Sequence, residues 1–157
     1  NIPFLEERFD QMREREGEKL AEDVRNRASV IETLVGEVEK RSPERVAEYR
    51  EKLLARMREV LESTDIDETR IVTEAAIYAD KTAVDEETVR LRSHLHQLDG
   101  MLNEVKPVGR KLDFLVQEMN REANTILSKT TDLKVSDVGI NLKTDIEKVR
   151  EQIQNIE

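Results

Sequence analysis

The stretch Gly109 to Lys129, GRKLDFLVQEMNREANTILSK, gathers the side chains best suited to chemistry. Glu118 and Glu122 are four residues apart, so on a helix they stand one turn above each other. Like charges at that spacing cost a bare helix about 0.2–0.5 kcal/mol. Such a pair is tolerated, neutralised by a neighbour such as Arg121, or used to hold a cation. In the last case the carboxylates would bind a divalent ion while Lys111, Arg121 and Lys129 meet phosphate oxygens, the combination that phosphoryl chemistry needs. Gln117, Asn124 and Ser128 offer hydrogen bonds to a ribose or a base edge. The plainer alternative is a salt-bridged helix face.

A second group precedes the first. His94 and His96 are the only histidines, and Glu87, Arg90, His94 and Gln97 share one strip of a helix. A neutral imidazole with carboxylates forms a mixed nitrogen and oxygen donor set suited to Mn²⁺, Mg²⁺ with waters, or Zn²⁺. The alternative role for His94 is an interhelical hydrogen bond. The sequence has no HExxH, phosphate-binding glycine loop, nucleophile elbow, cysteine nucleophile or stacking aromatic surface.

The elements that must position these groups are helices. Leu112, Leu115, Val116, Met119, Ala123, Ile126 and Leu127 recur at three- and four-residue steps along the Gly109 stretch. Residues 83–106 carry the cleanest heptad seam: Val84, Leu91, Leu98 and Val105, with Thr88, Leu95 and Leu102 between. Pro107 and Gly109 end it and predict a turn over residues 106–109. Two antiparallel helices joined there bring His94 and Arg90 near Glu122 and Arg121.

Earlier in the chain, Leu5, Phe9, Met12, Leu20, Val24, Ile31, Leu34, Val35 and Val38 predict a helix over residues 4–40, with Gly17 inside it. Ser42-Pro43-Glu44 reads as a second helix start, with Ser42 as cap and Pro43 in the first position. The expectation is therefore a long antiparallel hairpin over residues 1–62. Glu62 to Asp65 breaks the pattern, and Asp65 or Asp67 caps a further helix through Ile71, Val72, Ala75, Ala76 and Ala79, interrupted at Asp80 to Thr82. After a loop over residues 130–135, Ser136 and Asp137 start a last helix striped by Ile140, Val149, Ile153 and Ile156. The expected fold is all-α, with about six helices: the hairpin, then a bundle over residues 63–157.

Composition supports this reading. Charged residues make up 39% of the 157 and aromatics 3%, a balance suited to long helices and against a β-sandwich or barrel. There is no cysteine, which excludes disulfides and thiolate metal sites and is compatible with a reducing cytoplasm. No apolar run is long enough to span a membrane, and no signal peptide is visible. A net charge of −9 argues against a broad nucleic-acid-binding surface. Between Lys106 and Lys134, however, six bases outnumber four acids, so the acidic excess lies elsewhere. Asn1-Ile-Pro-Phe reads like the middle of a protein, and a fragment is expected.

The segments MREREG (Met12 to Gly17), DEETVRLRSHL (Asp85 to Leu95), the Gly109 to Lys129 signature and EKVREQIQNIE (Glu147 to Glu157) resemble, in order and spacing, the C-terminal half of the YicC-like endoribonucleases. The resemblance implies that the family's sheet-containing N-terminal domain lies outside these residues. The resemblance implies a cytoplasmic bacterial RNase acting on RNA with divalent metal, especially manganese. It also implies a homo-oligomer, a hexamer, that opens and closes around its substrate. The family's recurring charged positions map onto Glu87, Arg90 and His94, and onto Arg110, Asp113, Glu118, Arg121, Glu122, Asn124 and Lys129. With the spacing, this assigns Glu118, Glu122 and His94 as catalytic. Glu87 joins those three as a ligand for Mn²⁺ or Mg²⁺, and Arg90, Arg110, Lys111, Arg121, Asn124 and Lys129 contact RNA. The segment ADKTAV (Ala79 to Val84) departs from the Arg-x-Asp-Ile pattern of relatives. A competing reading is a helical oligomerisation or adaptor module of an RNA-degradation assembly without catalysis of its own. A third is a coiled coil with no ligand.

Overall fold

The computed structural model describes residues 2–61, 65–104 and 109–156. These residues form five helices and no strand: α1 (Ile2–Leu61), α2 (Glu68–Thr82), α3 (Asp85–Leu102), α4 (Gly109–Lys129) and α5 (Leu133–Ile156). The all-α class expected from composition and periodicity is present. The expected breaks at residues 62–64 and 106–108, and the seam residue Val105, lie outside the described residues.

The hairpin expected over residues 1–62 does not form. α1 is one helix of 60 residues with Pro43 inside it, on the order of 90 Å long. Proline in a helix interior removes the bond to the carbonyl four residues back and costs about 3 kcal/mol. Tertiary contacts on both sides of Pro43 override that cost. Before it, Val24, Ile31, Val35 and Val38 are fully buried in the core. After it, Tyr49 stacks on Tyr78 of α2 at 4.0 Å between ring centroids, and the Arg45 guanidinium sits over the same Tyr78 ring. Arg41 and Arg45 bracket the proline and reach α5 and its approach: Arg41 Nε donates to Asp132 at 3.0 Å, and Arg45 Nη1 donates to the Thr130 hydroxyl at 3.2 Å. Ser42 caps nothing; its hydroxyl donates back to the Val38 carbonyl at 3.2 Å.

The middle of α1 packs on α3 and α5, and α4 packs on the same two helices. The result is a four-helix ring around one apolar core, with α2 laid along α1. Cross-helix pairs set the directions. Arg25 with Asp99 and Arg92 with Glu39 make α3 antiparallel to α1; Asp113 with Arg150 makes α5 antiparallel to α4. The predicted α3 seam is buried as expected: Val84, Thr88, Leu91, Leu95, Leu98 and Leu102 all face inward. α4 and α5 approach closely at Gly139, where a Cβ would stand 2.5 Å from Leu127 Cδ2.

Local signals fared unevenly. Asp67 does cap α2, its carboxylate accepting from the Thr69 amide at 3.0 Å. α5 begins three residues earlier than Ser136 suggested. Asp132 takes the capping role, accepting from the Val135 amide at 3.3 Å, and Ser136 lies within the helix. The buried stripe is Val135, Leu142, Ile146, Val149 and Ile153; Ile140, nine residues and so half a turn from Val149, is exposed. Leu5, Phe9 and Met12, expected in a seam, are exposed at the start of α1, and Gly17 has no neighbour that a side chain would meet.

Candidate active site between α3 and α4

The antiparallel packing of α3 and α4 lays their charged strips side by side. A ladder of cross-helix pairs results. At one end, Lys129 Nζ is 2.7 Å from Glu87 Oε1 and donates to the Ala83 carbonyl at 3.2 Å. Next, Arg90 Nε donates to Glu122 Oε1 at 2.8 Å. Then His94 meets Glu118 and Glu122: each of the three residues places one potential ligand atom within 4.8 Å of the others.

Burial gives the ladder its character. Glu87 and Glu122 are only 2% and 4% exposed. An ionised carboxylate removed from water requires compensating partners. Arg90 supplies them for Glu122, and it also lies 3.7 Å from Glu87 and 3.6 Å from Glu86. The hydrogen bond to Glu122 holds the Arg90 guanidinium above its ordinary pKa, with the charges of Glu122, Glu87 and Glu86 adding to the effect. The first turn of α3 carries Asp85, Glu86 and Glu87, where the helix dipole favours negative charge.

His94 is different. Both of its ring nitrogens are buried, and neither meets a hydrogen-bond partner among the described residues. Leaving a buried polar group unpaired costs about 1–3 kcal/mol. Beside it stand two carboxylates, one buried and one partly so. Ligands on opposite sides of a divalent ion lie about 4–5 Å apart, and the trio falls within that span. One imidazole nitrogen and two carboxylate oxygens suit Mn²⁺ or Zn²⁺, and Mg²⁺ with retained waters. The unpaired nitrogens and the donor set therefore fit a metal.

The other expected site residues fall into separate places. Glu87 is turned to Lys129 and Arg90 rather than grouped with His94. Lys129 is correspondingly tied down at both Glu87 and Ala83. Arg121 is 76% exposed and only loosely paired with Glu118 at 3.9 Å. Together with Gln117, Asn120, Asn124, Thr125 and Ser128 it lines a shallow groove on the outer face of α4. Arg110 and Lys111 are exposed in the first turn of α4, on the order of 10 Å from Glu118 along the axis. Asp113 lies on the opposite flank, 3.9 Å from Arg150 of α5 and accepting from Gln117 at 3.1 Å. One residue outside the sequence-derived set stands out: Phe114, off the apolar stripe of α4, is 61% exposed. Its omission from the three- and four-residue rhythm was the available signal.

Comparison with known proteins agrees with the signature. Residues 38–157 match the family described as Endoribonuclease YicC-like, C-terminal. The chain is 48% identical over 148 residues to a probable endoribonuclease YicC of Clostridioides difficile (strain 630), covering 94% of this chain and 50% of that protein. It is 38% identical over 149 residues to a probable endoribonuclease YicC of Haemophilus influenzae, covering 95% of this chain and 51% of that one. The chain thus spans about half the length of the curated relatives it matches. By that match, carried across the helices that build the His94, Glu118 and Glu122 cluster, the chain belongs to the YicC-like endoribonuclease family, in its C-terminal region.

Proposed function

We propose that this chain is the helical region of a metal-dependent endoribonuclease, with the α3–α4 ladder as its reaction centre. The observation that carries the reading is His94: a partly buried imidazole whose two ring nitrogens are buried and unpaired beside Glu118 and Glu122. In this reading those three side chains hold Mn²⁺ or Mg²⁺. When bound, the ion would make a water more acidic and stabilise charge on a phosphodiester. Arg90 hydrogen-bonds Glu122 across the two helices and orients its carboxylate. Lys129 does the same for Glu87, which steadies Arg90 from its other side. Arg121, exposed at the edge of the α4 groove, meets the RNA backbone, and Asn124 lies in the same groove. Arg110 and Lys111 extend the basic track toward the start of α4.

The substrate would be RNA, the location the cytoplasm, and the assembly a homo-oligomer of the hexameric kind that the family resemblance implies. No described helix is long and apolar enough to cross a membrane. The exposed Phe4, Leu5, Phe9 and Met12 at the start of α1 favour a second reading, in which the chain serves assembly without catalysis of its own. Manganese-dependent RNA cleavage compared among the native protein, Glu118→Gln and Glu122→Gln separates the two. Loss of cleavage with retained helicity supports the nuclease; undiminished cleavage removes these carboxylates from the mechanism.

A further inference from the structure

Phe114 precedes Glu118 by four residues, so the two stand on one side of α4, about 6 Å apart along the axis. Arg121 follows Glu118 by three and completes the same outward edge. The chain has five aromatic residues. Tyr49 and Tyr78 are spent on each other, and Phe4 and Phe9 belong to the far start of α1. Phe114 is the aromatic one turn from Glu118 of the carboxylate–histidine cluster, and the residue is 61% exposed. A single exposed apolar side chain is ordinary on a protein surface. Phe114, however, stands one turn from Glu118 and two turns from the exposed Arg121, within reach of a nucleotide whose phosphate approaches those two side chains.

We propose that Phe114 is a base-stacking subsite. Its ring takes one unpaired nucleobase, and the adjoining phosphodiester is thereby set against Glu118 and Arg121. This rests on the nuclease reading above. Every base has a π-face, so the subsite is tolerant of sequence. A base inside a duplex has both faces covered by its neighbours, so the subsite selects single-stranded RNA over paired RNA.

The chain has no tryptophan, which makes Phe114→Trp a clean fluorescent reporter. Titration is done with EDTA in place of divalent metal, so that the RNA stays intact. A single-stranded oligoribonucleotide should quench the emission, and an abasic oligonucleotide of equal length should not. Equal responses to the two, or none, would overturn the subsite. So would an emission shift that follows protein concentration and ignores RNA, which would mark Phe114 as a contact between protein molecules. In cleavage assays with manganese, Phe114→Leu should lower kcat/KM roughly 5- to 100-fold, mainly through KM, the range expected for one lost stack. Phe114→Tyr should restore it. If quenching occurs as described but Glu118→Gln and Glu122→Gln cleave normally, the carboxylate mechanism fails and the subsite stands. If those variants are inactive but Phe114→Leu cleaves normally and no quenching is seen, the subsite fails and the mechanism stands.

Discussion

Arg90 of α3 and Glu122 of α4 are joined by a 2.8 Å hydrogen bond, and the same guanidinium stands 3.7 Å from the buried Glu87. One cation therefore serves two carboxylates that burial would otherwise penalise. A lysine has no planar fork and satisfies only one of them at a time. Residues that orient metal ligands change metal affinity or activity about 10- to 100-fold when removed. Arg90→Ala is expected to raise the manganese concentration needed for half-maximal cleavage by that order, and Arg90→Lys by less. A manganese titration of cleavage rate checks both. An unchanged titration for Arg90→Ala would separate Arg90 from the site.

Pro43 yields a prediction of opposite sign. It lies exposed within α1, where it withholds an amide from the carbonyl of Glu39. Alanine restores that bond with the best helix former, although it also frees the unfolded chain. Pro43→Ala is expected to stabilise the protein by about 1–2 kcal/mol, read as a higher urea midpoint. A lower midpoint would mean that α1 depends on proline at that point.

How much of this was legible in the sequence differs from residue to residue. The α3 seam and the pairing of His94 with Glu122 followed from heptad spacing and one short antiparallel connection, both local rules. Ser42-Pro43 followed an equally sound local rule and misled. The continuity of α1 is decided by Asp132, Thr130 and Tyr78, some 30 to 90 residues away, which no window contains. Glu87 looked like another ligand because it shares a strip with His94, and only the position of Lys129 in space shows where it points. Ile140 was misplaced because it is apolar but stands nine residues before Val149, half a turn around α5 from the buried stripe.

Acid should loosen the junction of α1 and α5. Hydrogen bonds from Arg41 hold Asp132 and Glu48 below the usual carboxylate range, and the Val135 amide lowers Asp132 further. A carboxylate whose folded pKa is depressed contributes stability that is fully present above its unfolded value, about 4. That contribution is lost as pH falls through the lower folded value. The urea midpoint is expected to decline below about pH 4, and Asp132→Asn should be less stable at pH 7 with a shallower decline. Parallel declines in the two proteins would contradict this role for Asp132.

Truncating a core side chain should destabilise the bundle more than either surface change. Leu98 is fully buried on the predicted seam. Leu98→Ala removes its transfer energy and leaves a cavity, costing about 2–5 kcal/mol, measurable by urea denaturation. A cost under about 1 kcal/mol would be incompatible with a packed site.

The proposed metal site rests on His94, Glu118 and Glu122 together. Manganese binding measured calorimetrically on the native protein and on His94→Ala, with helicity followed in parallel, tests this most directly. One manganese per chain is expected in the native protein, with at least a tenfold loss of affinity in the folded variant. Equal manganese affinity in the two folded proteins would contradict the site.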